Sequence, residues 1–267
     1  MVVVWDLQDP DTGQMIVQVP SSIYALSYQP EKELLVVGQN FSGIHLVDVE
    51  RKKEVGSLSL TTSAIFDIKT TPEAIYVGTG NGELFRISWD LKILNREKLS
   101  EKSTRTLAVR KDGKELVAGF SDYHIRVLNE ELGMKKAIKA HEISVFTVRY
   151  HPKRDFLLSG SRDARIKIWD QNADFSLNEE IVAHMYAINH LDFSPDGKHF
   201  VTCSMDKSIK VWDSDTFKLL KVIDKARHAG HATSVNKLLW MEYNNWLVSC
   251  SDDRTISVWD INFMNEL

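Results

Sequence analysis

Cysteine is scarce in this chain: of 267 residues only Cys203 and Cys250 carry a thiol. Two thiols cannot build a disulfide framework, so both read as reduced, buried small residues of a cytoplasmic protein. Long apolar runs are missing too. Nothing approaches 18 consecutive apolar residues, which excludes a helical membrane span. The start, Met1-Val2-Val3-Val4-Trp5-Asp6, has no basic stretch before a long apolar one, so it is not read as a signal peptide. An excess of positive charge is also absent. Lys and Arg number 33 against 37 Asp and Glu, a net charge of −4, so direct nucleic-acid binding is not expected. Helix-period stretches are essentially absent. What is present suits a globular chain: 43% hydrophobic and 26% charged residues, ample for a buried core.

The stretch from His141 to Asp170 shows the organisation. Three apolar-alternating runs, Val145 to Tyr150, Phe156 to Ser159 and Arg165 to Trp169, are separated by turn material at 151–154 and 160–163. Alternation over four to six residues between such turns reads as antiparallel strands. The run ends in Trp-Asp, and that ending recurs at Trp5-Asp6, Trp212-Asp213 and Trp259-Asp260. Val47-Asp48, Ile87-Ser88 and Leu128-Asn129 are degenerate copies. The Trp-equivalent positions 5, 47, 87, 128, 169, 212 and 259 are spaced by 42, 40, 41, 41, 43 and 47 residues. Each unit adds a second strand (Leu34 to Val37, Ala74 to Val77, Glu115 to Ala118, Phe156 to Ser159, Phe200 to Cys203, Trp246 to Cys250) and an outer fourth strand such as Lys218 to Ile223. Tight turns such as Ser194-Pro195-Asp196-Gly197 join them.

A 40 to 45 residue period of four strands ending in Trp-Asp resembles the WD40-repeat family. The resemblance covers essentially the whole chain and is strongest in the last three repeats. It implies an all-β fold, a β-propeller of four-stranded antiparallel blades. A single domain over 1–267 is expected, its units ending near 6, 48, 88, 129, 170, 213 and 260. One blade cannot bury both its faces alone; stacked neighbours can. In this family the termini share a blade. The chain begins inside a third strand (Val2 to Trp5), gives an outer strand (Met15 to Val19), and ends at Leu267 after a third strand. The reading is a seven-bladed, N-terminally shortened propeller whose first blade lacks its two inner strands. The alternative is a six-bladed ring in which Met15 to Val19 completes the last blade and the apolar Val2 to Val4 hang free.

The resemblance also implies structural tetrads, in which a His before the first strand, a Ser or Thr in the second, an Asp in the next turn and the Trp are chained by hydrogen bonds. Three sets match: His141, Ser159, Asp163, Trp169; His184, Thr202, Asp206, Trp212; and His231, Ser249, Asp253, Trp259. The earlier units, with Ala118 in the hydroxyl place and no His, are expected to rely on apolar packing. A Ser-His-Asp set could serve nucleophilic catalysis, but a catalytic site need not occur three times in one register, whereas a clamp would. Gly78-Thr79-Gly80-Asn81-Gly82 lacks the following helix that a phosphate cradle needs and reads as a hairpin turn. His228, His231, Cys203 and Cys250 suggest zinc only superficially. The cysteines occupy equivalent strand positions, and His231 belongs to a tetrad. No metal or cofactor is expected. The basic clusters Arg51-Lys52-Lys53 and Lys218 to Arg227 read as charge guarding solvated edges. The extra residues of the longest repeat, around 225–230, should project as a loop.

The resemblance points to two classes of partner-binding residue near the channel mouth. One follows the first apolar residue of strand one: Tyr24, Phe66, Arg105, Phe146, Asn189 and Asn236. The other precedes the turn Asp: Ser121, Arg162, Met205 and Asp252. Aromatics, Arg and Met together match the composition of interface hot spots, although the aromatics could equally be packing residues. The expectation is a non-catalytic, cytoplasmic scaffold that binds a protein or peptide, one with an acidic anchor suiting the Arg and aromatics. Alternatives are a subunit of an RNA-processing or other multiprotein assembly, and a propeller enzyme with an active site in its channel. Neither membrane nor direct nucleic acid is an expected partner.

Overall fold

The computed structural model describes residues 1–263; the end expected at Leu267 lies outside them. Contacts divide the chain into two compact units, residues 1–137 and residues 138 onward.

In the first unit, β1 (Val2–Val4) pairs antiparallel with β2 (Gln14–Val17) as a two-stranded sheet. Three four-stranded sheets follow. They are β3 (Ile23–Gln29), β4 (Leu34–Gln39), β5 (Gly43–Asp48) and β6 (Lys53–Ser59); then β7 (Ile65–Thr70), β8 (Ile75–Thr79), β9 (Glu83–Ile87) and β10 (Ile93–Lys98); then β11 (Thr104–Val109), β12 (Glu115–Phe120), β13 (His124–Asn129) and β14 (Met134–Lys139), inside which the division falls. The second unit holds two more four-stranded sheets: β15 (Val145–Tyr150), β16 (Phe156–Ser161), β17 (Arg165–Asp170) and β18 (Ser176–Val182); then β19 (Ile188–Phe193), β20 (His199–Ser204), β21 (Ile209–Asp213) and β22 (Leu219–Ile223). It ends, among the described residues, in a three-stranded sheet of β23 (Val235–Trp240), β24 (Leu247–Ser251) and β25 (Ile256–Trp259). Within each sheet sequence neighbours pair, so the connections inside a sheet are antiparallel.

Burial explains the sequence pattern. Second strands such as β8 and β12 are buried along their whole length and read as unbroken apolar runs, because both faces of each sheet are covered. Most extend one or two residues past the expected ends. Outer strands such as β10 and β18 are mostly exposed and carry charge, Arg96, Glu97 and Lys98 in the first and Glu179 and Glu180 in the second, which discourages edge pairing. The long loop contains a one-turn helix, α1 (Lys225–His228), capped by the Asp224 carboxylate, which accepts the Arg227 N–H at 2.9 Å. Val2 to Val4 are not left bare, since each pairs with β2 and Val2 is buried with Ile16 against Val37 and Val47. No helix of the described residues is long and apolar enough to cross a membrane.

Sheets within a unit are joined by apolar clusters and by a repeated polar tie. One cluster gathers Val36, Ile44, Ile65, Ile68, Val77 and Phe85 between the first two complete sheets. The tie is a backbone N–H in one first strand bonded by a side chain of the preceding first strand. Asp67 Oδ2 accepts the Leu107 N–H at 2.8 Å, Thr147 Oγ1 that of Leu191 at 3.2 Å, and His190 Nδ1 that of Leu238 at 3.2 Å. The corresponding residue of β3 is Ala25, which has no acceptor. There Asp67 Oδ1 itself takes the Ile68 N–H at 3.0 Å. A buried donor left without such a partner would cost about 1–3 kcal/mol.

Thr104 breaks this rule of satisfaction. It stands where the other first strands carry Ile23, Ile65, Val145, Ile188 and Val235, and its buried hydroxyl has no partner. Thr104→Val keeps the shape and removes the orphaned group, so it should stabilise the protein by about 1 kcal/mol. Urea unfolding would show a higher midpoint at unchanged slope; a lower midpoint would contradict the assignment.

Candidate protein-binding face

Every first strand carries a β-bulge at the same place. The pairing register shifts between Ile23 and Ala25, Ile65 and Asp67, Thr104 and Thr106, Val145 and Thr147, Ile188 and His190, and Val235 and Lys237. The skipped residues are Tyr24, Phe66, Arg105, Phe146, Asn189 and Asn236, the whole first class of candidate residues. A bulge takes a residue out of the ladder and re-aims its side chain. The second class is brought alongside by one backbone bond. The N–H of Ser121, Arg162, Met205 and Asp252 is accepted by the carbonyl of Ser103, Ser144, Ala187 and Ser234 at 2.9 to 3.1 Å, within two residues of the bulge.

In the first unit the bulged residues form a row. The Tyr24 and Phe66 rings stack at 5.9 Å with planes 7° apart, and the Arg105 guanidinium lies 4.1 Å from the Phe66 ring centroid. Burial pushes the Arg105 guanidinium below its usual value, opposed by the Tyr24 phenol. A cation partly stripped of water gains more from an aromatic face than a solvated one does. Tyr24 is 56% exposed, so the row presents an aromatic surface rather than a sealed core.

In the second unit the bulged residues divide. Asn189 Nδ2 donates to Ser234 Oγ at 2.9 Å and to the Val235 carbonyl at 2.8 Å, tying β19 to the start of β23. Asn236 Nδ2 donates to Asp252 Oδ1 at 2.6 Å. These amides are engaged within the fold. Phe146 is half-buried, while Arg162 and Met205 are exposed. Sequence reasoning missed further exposed groups near these strand ends: Phe41, Tyr123, Met185 and Tyr186. Phe41 had a legible signal, since it holds the turn position that is Asn81, Asp122, Asp163, Asp206 or Asp253 elsewhere. Its φ of 63° is unusual for a bulky residue. Nothing local in the sequence marked Met185 or Tyr186 as exposed.

The three His-hydroxyl-Asp sets are joined as chains. Trp169 Nε1 donates to Ser159 Oγ at 2.9 Å, His141 Nε2 lies 2.8 Å from that oxygen, and His141 Nδ1 lies 2.9 Å from Asp163 Oδ2. For Trp212, Thr202, His184 and Asp206 the same distances are 2.9, 2.8 and 2.8 Å. For Trp259, Ser249, His231 and Asp253 they are 2.8, 2.7 and 3.1 Å. An indole can only donate. The hydroxyl that accepts from it passes its own proton to Nε2, and Nδ1–H then donates to the carboxylate. Each carboxylate also takes the N–H of the residue after the His, at 2.9 to 3.3 Å, and that of the residue two past the Asp, at 3.0 Å. The three hydroxyl residues are buried, so no substrate carbonyl reaches them.

Three repeats spanning 134–170, 176–213 and 222–260 match the family model for the WD domain, G-beta repeat. The chain carries WD40 repeats. A chain from the crystal structure of the mitotic checkpoint complex is similar in fold, with a TM-score of 0.86 and 17% identity over 97% of this chain and 81% of that one. The fold is a β-propeller of four-stranded antiparallel blades.

The earlier blades do not rely on apolar packing alone, contrary to expectation. Asp122 is kept, held by the Ser100 hydroxyl at 2.7 Å, by Arg126 at 2.7 and 3.1 Å and by the His124 N–H at 3.1 Å. Ser100 stands in the His place, and Arg126 does from the third strand what the imidazole does elsewhere. In the preceding blade Glu83 binds Arg96 and Asn81. The glycine-rich stretch is the β8–β9 turn: Gly82 has φ 79°, and a Cβ there would lie 2.0 Å from the Ser100 carbonyl oxygen. Burial pushes the Cys203 thiol up, so it stays protonated.

Ser159→Ala should cost about 2–4 kcal/mol, because it strands a buried indole donor and an imidazole acceptor together. Denaturant unfolding measures this; a loss within 0.5 kcal/mol, the usual range for a surface change, would sink the clamp reading. Acid provides a second measurement. Burial holds the His184 imidazole below its ordinary value, with Asp206 opposing. Above the unfolded value near 6.5 this costs nothing. As pH falls below it, the unfolded chain gains a proton that the folded one refuses, and stability drops. Asp206 lies well below the usual carboxylate range. Burial would raise it, but bonds from His184, Ser208 and the Met185 N–H prevail. Its contribution holds above about 4 and disappears only as pH falls through the folded value. The unfolding midpoint should therefore drop between pH 7 and 5, and His184→Gln should flatten that drop.

Proposed function

We propose that this WD40 protein is a non-catalytic interaction scaffold. It binds a protein or peptide through first-strand ends, those that bear Tyr24, Phe66 and Arg105 in the first unit and, in the second, those that bear Phe146, Asn189 and Asn236, with Arg162 and Met205 beside them. The observation that carries this reading is the row of Tyr24, Phe66 and Arg105. Three successive first strands spend their bulges on two stacked rings and a guanidinium 4.1 Å from the second. A structural requirement would be met by small apolar residues, whereas aromatic and Arg side chains presented at a surface are those that dominate interface energy. In the second unit Phe146, Arg162 and Met205 supply a third aromatic, a second cation and a flexible thioether. Arg on aromatic rings favours a peptide with a carboxylate or phosphate anchor. The neighbour of similar fold is itself part of a protein complex, which agrees with membership of an assembly.

Affinity purification with the intact chain and a Tyr24→Ala/Arg162→Ala variant tests this. Both side chains are exposed, so the variant should melt with the wild type. The partners that wild type recovers should be lost, or their affinity reduced by about tenfold or more. Recovery of the same proteins by both would place the interface elsewhere.

A further inference from the structure

Four residues before β15, β19 and β23 stands a His whose imidazole fills the space beside the turn Asp. Ser100 takes that place before β11 and bonds Asp122 directly. Before β7 the place falls to Thr61, and the turn position to Asn81. Each of these two turns to its own segment. Thr61 Oγ1 accepts the Ser63 N–H at 3.0 Å, while Asn81 bonds Thr79 Oγ1 at 2.6 Å and Glu83 Oε2 at 2.8 Å. A cavity of about 510 Å³ opens where the imidazole is missing, lined in part by Phe41, Thr61, Thr62, Asn81, Glu83 and Arg96. Its charges balance. Arg96 Nε and Nη2 donate to Glu83 Oε1 at 3.1 and 2.6 Å. Burial would raise the Glu83 carboxyl, but bonds from Arg96 and Asn81 hold it below its usual range, so it stands ionised. A carboxylate has about four lone-pair sites. The bonds from Arg96 and Asn81 leave one of them open, and Arg96 keeps Nη1 for an acceptor. Phe41 presents its ring, 64% exposed, from a left-handed backbone (φ 63°) held by its N–H bond to the Ser63 carbonyl at 2.9 Å. Such strain persists where a site uses it.

We propose that this cavity takes a histidine side chain of a partner polypeptide, in the place that the chain's own imidazoles hold in its last three sheets. This contact rests on the scaffold reading and adds to it a point outside the first-strand ends. Charge selects the ligand. A carboxylate entering the cavity meets the Glu83 carboxylate, and a guanidinium or ammonium meets Arg96. An apolar ring leaves the polar lining stripped of water and unbonded. A neutral imidazole has one donor and one acceptor. Its N–H donates to the open lone pair of Glu83, its other nitrogen accepts from Arg96 Nη1, and its face packs on Phe41. His141 is bonded in the same manner, with Nδ1 toward a carboxylate and Nε2 toward a donor hydroxyl. A volume of about 510 Å³ also leaves room for the flanking peptide groups.

Capped histidine, N-acetyl-histidine methylamide, should be titrated into the intact chain at about pH 8, where its imidazole is neutral. Capped Arg, Asp, Phe and Ala serve as controls. The NMR shifts of the Thr61 and Thr62 backbone amides and of the Asn81 side-chain amide report on the cavity. Capped histidine should move them saturably, and each control should bind at least roughly fivefold more weakly. Thr61→His supplies the missing imidazole from within, so it should melt no lower than wild type and abolish the response. Phe41→Ala, at an exposed position, should keep the fold and weaken binding by about threefold or more. No saturable shift, or a response as strong to capped Phe, Arg or Asp, overturns the assignment. So does a folded Thr61→His chain that still responds. The Tyr24→Ala/Arg162→Ala variant leaves this cavity untouched, so failure of the scaffold face and failure of the histidine site are told apart.

Discussion

The bulge at the start of each first strand is the constraint on which both the packing and the surface depend. One extra residue breaks the alternation that would otherwise bury every second side chain. Beyond it the backbone N–H is turned toward the preceding blade, where a side-chain acceptor meets it, as between Leu107 and Asp67. At the bulge itself a side chain is released from the ladder and free to vary. The tie between blades and the side chain released from the ladder are thus set by adjacent residues of one strand. Asp67 must accept a hydrogen bond, whereas Phe66 beside it has no duty to the ladder. The same logic explains the spread of residue types at the bulge, from Tyr and Phe to Arg and Asn.

The tetrads lock the turn beside that bulge. Ser159, His141 and Asp163 are the residue types of a hydrolase triad, but function depends on what each group faces. Here the hydroxyl faces an indole and the carboxylate faces two backbone N–H groups, so every lone pair and proton is used within the fold. A saturated network in a buried site is stiff and costly to break. The Asp122 cluster shows that stiffness in this turn can be had without imidazole. Arg126 reaches the same carboxylate from the third strand, and its guanidinium also lies 4.4 Å from the Phe120 ring. Asp122, Asp163, Asp206 and Asp253 put an anionic acceptor at the same turn position in four of the six units. Phe41, where that acceptor is absent, is also the one of these six turn positions with a left-handed backbone.

Much of this was legible in the sequence, for identifiable reasons. The period, the strand order and the three tetrads follow from side chains whose types are fixed by burial: an indole that needs an acceptor, and apolar runs that need cover on both faces. The aligned positions of Tyr24, Phe66 and Arg105 were legible through family resemblance, but the bulge that puts them there was not. A bulge is a backbone event, and its residues carry no common chemistry. The Ser100, Asp122 and Arg126 substitute was hidden because its members are spread over three strands and share no spacing with the His sets. Conversely, Asn189 looks like a surface residue by alignment, yet its amide is spent on Ser234 and Val235.

Exposure is likewise a property of neighbours, which no residue announces by itself. Leu26 and Leu191 are the same residue type at the same place in the repeat, and one is half-exposed while the other is buried. The difference lies in what precedes each strand. β19 follows a sheet that has a first strand bearing Thr147, whereas β3 follows a pair that has none. In a repeat architecture each unit covers the next, so the burial of a side chain is set by the strand that precedes it. Thus Val2 and Ile16 of the short sheet are buried, whereas Leu26 on the first strand beside it is half-exposed.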